Sequence, residues 1–245
     1  MSAARLRALH VPGEPVLLPN AWDAASARAV VSAGFPVVAT ASAAVAAALG
    51  YPDGQGTPPA EMFAAVRRIA AAVDVPVTAD VEAGYDLPPA ELAERLAEAG
   101  AVGCNLEDTR HPGGGLVDAG WQAERIAALC AAGDLVVNAR VDVAVSGPED
   151  TAALAETVDR ARRYLAAGAH CVYPIKLRDA AVLGAFVEAV RPAPVNALYL
   201  PGSSTLVALA ELGVARISFG PGLFRSAMSH VDGLLRGLAE GVAPY

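Results

Sequence analysis

The chain has 245 residues, 54% of them apolar, and a formal net charge of −8. That length and apolar content suit one domain with a large core, while the acidity argues against a nucleic-acid backbone or an anionic membrane surface as partner. Three scattered cysteines (Cys104, Cys130 and Cys171) exclude a disulfide framework or a Cys-rich zinc site. The opening MSAARLRALH has no apolar signal core and no run is long enough to cross a bilayer, so a reducing cytoplasm is expected.

Taken in chain order, strand-like segments fall near residues 16–19, 37–40, 75–79, 102–106, 135–139, 171–175, 195–200 and 215–219. Most are runs of Val, Leu or Ile without alternation, as expected of strands buried on both faces. Pro76 inside the third is tolerable only near a strand start. Helix-like segments follow near 24–33, 59–72, 88–98, 120–132, 148–167, 180–190, 203–212 and 222–238. Pro58, Pro59, Pro88, Pro89 and Pro148 mark first turns, and Ala-Gly pairs ending at Gly34, Gly100 and Gly168 mark stops. The phrase helix-Gly-strand recurs. Eight β/α alternations over residues 1–245, with no dividing linker, predict a single (β/α)8 barrel. The last helix carries Leu223, Phe224, Ala227, Met228, Val231, Leu234, Leu235 and Leu238 on one stripe, which predicts a buried face, in this chain or in a partner.

Several apolar runs end abruptly in charge: VPVTAD in Asp80, with Glu82 beyond; VGCNLED in Glu107 and Asp108; LVVNAR in Arg140, with Asp142 beyond. Strand C-termini share one face of a parallel barrel, so these groups could converge there. Asp80, Glu82 and Glu107 offer hard oxygens of the kind Mg²⁺ takes, or are loop acids that cap helices. Arg140 suits an anionic substrate by its fork geometry, or a structural pair with Asp142, Asp108 or Glu107. Ser42 and Ala43 begin a small-residue stretch where a ligand could approach backbone N–H groups, or an Ala-rich helix could pack closely. Asp53 sits in the turn GYPDGQGTP. Asn196 is a substrate contact or a satisfied core amide. Lys176 reads as a solvated lysine, and His111, in HPGGG, as part of a solvent loop that could otherwise cover the site. No G-x-S-x-G elbow and no GxGxxG after a strand appears.

In order along the chain, LPNAWDAASARAVVSAGFPVVATASAAVAAALGYPD, PVTADVEAGY, GCNLED and VNARVD resemble the isocitrate lyase/phosphoenolpyruvate mutase superfamily, over roughly residues 18–238. The resemblance implies a (β/α)8 barrel whose last helix is often exchanged between subunits, hence a homo-oligomer (dimer or tetramer). It also implies a Mg²⁺-dependent site acting on a small 2-oxo acid through an enolate of pyruvate type. By motif, Asp80, Glu82 and Glu107 match the acids around the metal, and Arg140 the arginine on the substrate carboxylate. Ser42 and Ala43 match the amide pocket, and Asp53 the loop aspartate near the reacting centre. The chain departs where the lyases carry K-[KR]-C-G-H: here Glu107 is followed by DTRHPGGGLVD, without cysteine. It has Ile175 where mutases have a His, and Glu82 where they have an Asp. The expected activity is therefore C–C cleavage or decarboxylation of a 2-oxo acid. The alternatives are P–C mutase or hydrolase chemistry, and a non-catalytic 2-oxo acid binding protein.

Overall fold

The structure, a computed structural model, describes residues 2–146 and 151–245. Pro148, expected in a helix's first turn, lies outside the described residues. The strands are β1 (Val16–Leu18), β2 (Asn20–Ala21), β3 (Val38–Thr40), β4 (Val77–Asp80), β5 (Gly103–Glu107), β6 (Val136–Val141), β7 (Cys171–Pro174), β8 (Asn196–Leu198) and β9 (Arg216–Ser218). Every pairing between them is parallel, in the orders β1-β9-β8 and β2-β3-β4-β5-β6-β7.

These two ladders make one barrel. β1 and β2 are a single stave divided at Pro19, which has no N–H to contribute. β7 and β8 meet through a parallel bridge between Val172 and Val195, supported by the Val172 N–H on the Pro194 carbonyl at 3.1 Å. The expected (β/α)8 architecture is thus present. Pro76 falls outside the strand proposed for it, since β4 begins one residue later and runs on to Asp80.

The helices are α1 (Ala3–Ala8), α2 (Ala24–Ser32), α3 (Ser42–Leu49), α4 (Pro59–Ala70), α5 (Pro89–Glu98), α6 (Ala119–Ala132), α7 (Val143–Ser146), α8 (Thr151–Ala166), α9 (Ala180–Val190), α10 (Leu206–Glu211) and α11 (Gly222–Ala239). Their starts follow local chemistry. Asp23 and Ser26 form a capping box on α2, Asp118 and Asp179 cap α6 and α9, and Pro59 and Pro89 open α4 and α5. The stretch after β3 is the Ala-rich helix α3, and Ser42 is its first residue. Helix α1 has no counterpart in the sequence reading. It is short and lacks a long periodic stripe, yet it seats Leu6 in a cluster with Val16, Leu18, Val37 and Val136. Gly103 makes room for it: a Cβ there would lie 2.9 Å from Leu6 Cδ2 and 2.7 Å from the Val136 carbonyl.

Cys104 and Cys171 are buried in strands as expected. Helix α11 has no buried residue, and Leu223, Met228, Val231, Leu235 and Leu238 are all exposed. Near its start it meets the barrel, where Phe224 packs edge-on against Trp22 at 5.4 Å. Among the described residues, no helix is long and apolar enough to cross a membrane.

Candidate active site

The charged ends of neighbouring strands do come together. In register, Asp80 on β4 pairs with Asn105 on β5, and Glu107 on β5 pairs with Arg140 on β6. Side chains at paired positions of parallel strands point to the same side, so these groups share the barrel mouth.

Asp80 is half-buried. Its Oδ2 accepts from the Ser42 N–H at 3.0 Å and the Ser42 hydroxyl at 2.8 Å. Its Oδ1 is buried and, among the described residues, without a hydrogen-bond partner. Ser42 therefore orients the carboxylate from the start of α3. Ala43, next along, is half-buried at the same helix start.

Glu82 lies just past β4 with φ at 51°, a left-handed conformation that non-glycine residues rarely adopt. Tyr85 and Asp86 share it, as does Gln55 in the facing loop. Such a cluster of unusual backbone is common at functional sites. Glu82 is buried; its carboxylate accepts from the Gln55 N–H and from the Tyr85 hydroxyl, the latter at 3.0 Å. Burial pushes its carboxyl up to about 7, with the Gln55 N–H opposing.

Glu107 is also buried and is held between two bases: His111 Nε2 on Oε1 and Arg140 Nη2 on Oε2, each at 2.5 Å. Burial raises its pKa, and Arg140 and His111 work against the rise; the bond to Glu107 raises that of His111 in turn. Arg140 forks onto Asp142, Nε to Oδ1 at 2.7 Å and Nη2 to Oδ2 at 2.5 Å. Its two acids more than offset the burial that would otherwise disfavour its charge. Behind this stands a supporting layer. Asp142 accepts from the Thr109 hydroxyl at 2.5 Å, and its N–H donates to Asp108. Asp108 is wholly buried and accepts from Tyr164 at 2.7 Å and Arg160 at 3.1 Å. Asp108 and Asp142 are thus parts of the scaffold, and the structural pairing weighed for Arg140 is present.

Other candidates fall differently. Asp53 is solvent-exposed on its loop, and it is Gln55, two residues on, that reaches the acids. Asn196 is buried deeper in the barrel, where its Nδ2 donates to the Ser218 hydroxyl at 3.2 Å and its Oδ1 has no hydrogen-bond partner among the described residues. Lys176 is exposed, as a solvated lysine would be. His111 corrects the reading of its loop as plain solvent loop: it turns inward to Glu107, and its ring lies against Gly54. Gly113, Gly114 and Gly115, all at positive φ, follow it in that loop. Gln55 and Arg216, the latter inside the barrel on β9, went unnoticed in the sequence, where a loop Gln and a strand Arg carry no motif.

A divalent cation was expected among Asp80, Glu82 and Glu107. Among the described residues, no three His, Cys, Asp or Glu side chains are grouped to hold a metal between them. The oxygens of Glu82 and Glu107 already have partners, while Asp80 Oδ1 has none. This donor set fits Mg²⁺ in its usual mode, bound by one or two carboxylates and otherwise by water and substrate.

Comparison with known proteins accords with this geometry. A family profile described as phosphoenolpyruvate phosphomutase matches residues 6–239. A Burkholderia cenocepacia J2315 protein described as a phosphonomutase has a crystal structure with a TM-score of 0.90; it is 43% identical, covering 96% of this chain and 99% of its own. A Corynebacterium glutamicum protein described as 2-methylisocitrate lyase 2 is 31% identical over 250 residues, 96% of this chain and 80% of the relative. Oxaloacetate acetylhydrolase, solved with the inhibitor 3,3-difluorooxalacetate, matches with a TM-score of 0.86 at 25% identity, covering 98% of this chain and 87% of that one. A barrel mouth of strand-end acids around one arginine, and a family match over nearly the whole length, make this chain an enzyme of the isocitrate lyase/phosphoenolpyruvate mutase superfamily.

Proposed function

We propose that the protein is a Mg²⁺-dependent lyase that breaks a C–C bond of a small 2-oxo acid, by cleavage or decarboxylation. The observation that carries the reading is Asp80 Oδ1, a buried carboxylate oxygen with no partner, aligned by Ser42 beside the Glu107–Arg140 pair. Asp80 is the inner ligand on this reading, and Glu82 and Glu107 act through water. When bound, Mg²⁺ supplies positive charge where the 2-oxo oxygen gains electrons. Arg140 binds the substrate carboxylate through Nη1, which takes no part in its pairs with Glu107 and Asp142. Glu107 and Asp142 hold the guanidinium in place. The Ala43 N–H, at the first turn of α3, faces a substrate oxygen. Asp53 handles the proton once its loop closes, since it is solvent-exposed as it stands.

A second reading, P–C chemistry on a phosphonate analogue, is favoured by the likeness to the protein described as a phosphonomutase. One assay separates the readings. The protein is incubated with Mg²⁺ and a panel of 2-oxo dicarboxylates, 2-hydroxy tricarboxylates and phosphonopyruvate, and products are followed by NMR. A 2-oxo acid product without phosphorus release supports the lyase; release or migration of phosphorus supports the second reading. Binding without turnover identifies a 2-oxo acid sensor. Asp80→Ala is expected to abolish turnover.

We also propose a homo-oligomer, dimer or tetramer. The exposed apolar stripe of α11 needs cover, and a groove of about 650 Å³, walled by Trp22, Ala25, Ala29, Val30, Phe35 and Phe219, offers it on a second copy. Light scattering should give a multiple of the 24.8 kDa chain mass, reduced by Leu235→Glu.

A further inference from the structure

The proposed chemistry makes no use of the largest fully buried side chain. Arg216 enters the barrel from β9, in register with Val16 on one side and Asn196 on the other, and is wholly buried. Its Nη2 crosses the interior to donate to Asn105 Oδ1 on β5 at 3.1 Å. Asn138 Nδ2 donates to the same oxygen at 2.8 Å. The partner is neutral, and among the described residues Nε and Nη1 have no hydrogen-bond partner. A guanidinium buried without an acid is a costly placement, and a packing role would be met at lower cost by an apolar side chain of similar volume.

Two observations indicate what this charge serves. Asn105, pinned from two sides, is the register partner of Asp80, so Arg216 holds the immediate neighbour of the carboxylate at the mouth. Above it the mouth carries Asp80, Glu82, Glu107 and Asp142 with only Arg140 and His111 against them among the described residues, an excess of acids that an anionic ligand must enter. Charges interact strongly across a low-dielectric interior. Arg216 is felt at both ends of the barrel: it helps keep His10 neutral at the base, and it feels Asp80 at the mouth.

We propose that Arg216 is a positioning residue of the active site. It fixes the Asn105 amide beside Asp80, with the amide oxygen turned to the guanidinium. It also supplies, from beneath, the countercharge that lets a small dicarboxylate bind among the acids. The inference rests on the functional reading above.

The test compares wild type, Arg216→Lys and Arg216→Met by calorimetric titration of Mg²⁺ alone and of oxalate with Mg²⁺ saturating, alongside melting temperatures. Lys keeps the charge and loses the fork; Met keeps bulk and loses the charge. Arg216→Met is expected to weaken oxalate by about tenfold or more while Mg²⁺ alone binds as well or better, and Arg216→Lys to stay within about threefold of wild type for oxalate. A merely structural role would shift melting temperatures and leave folded variants with unchanged oxalate affinity. That result, or a Lys variant as impaired as Met, overturns the inference. Should Arg216→Met fail to fold, Asn105→Asp sets a carboxylate against Arg216 and must reproduce the loss of oxalate affinity; unchanged affinity there overturns it equally. Wild type that binds no oxalate with Mg²⁺ overturns the functional reading and this inference with it, whereas equal binding by the variants overturns this inference alone.

Discussion

Replacing Glu82 by Gln isolates the energetic cost of a buried carboxylate. In the folded chain, burial raises its pKa from 4.5 to about 7. A raised carboxyl favours the protonated form in the fold. Its contribution is therefore fully present below the unfolded value and is lost as pH climbs through the folded one. A rise of that size corresponds to about 3 kcal/mol, lost between about pH 4.5 and pH 7. Gln fits the same contacts: its amide oxygen accepts from the Gln55 N–H, and its NH₂ donates to the Tyr85 oxygen, much as the protonated acid would. The assay is denaturant unfolding of metal-free wild type and Glu82→Gln from pH 4.5 to pH 8. The difference between the two stabilities should change by about 3 kcal/mol in favour of Gln across that range, whatever constant offset the substitution adds. Near the melting point this amounts to about 6–12 °C for a chain of this size. Mg²⁺ should shrink the difference at pH 8, because a cation favours the ionised form. Parallel curves for the two proteins would refute the reasoning.

Arg140→Met removes the guanidinium shared by Glu107 and Asp142; buried Asp142 loses its cation and Glu107 keeps only His111, so a loss of about 3–5 kcal/mol in urea unfolding is expected, together with loss of substrate binding. Tyr164→Phe deletes one hydroxyl from Asp108, which keeps Arg160 and the Asp142 N–H; unfolding should show a cost of about 1–3 kcal/mol while kcat/KM stays near wild type. Gly103→Ala puts a methyl against the Val136 carbonyl and Leu6, so a loss of about 1–3 kcal/mol is expected, measurable as a lower Tm and faster amide exchange in α1.

The barrel was legible because its elements are written locally. Unbroken Val/Leu/Ile runs suit strands buried on both sides, and Pro and Gly mark where helices begin and end. The strand-end polar groups were legible too, because a parallel barrel sends Asp80, Glu107 and Arg140 to one face whatever the details. Helix α1 was not, being six residues without periodicity that are held by tertiary contact with the barrel base. Nor was the inward turn of His111, since a Gly-rich loop permits many paths and only Glu107 selects one.

The sequence by itself determined the order of the staves, the kinds of charge at their ends and the family that shares them. What each charge does was decided only in three dimensions. The same carboxylate can be a ligand, a scaffold or a proton carrier according to which donors surround it, and those donors come from distant segments: Ser42 for Asp80, Gln55 for Glu82, Tyr164 for Asp108. A side chain's chemistry is local, but its burial and its partners belong to the packed whole.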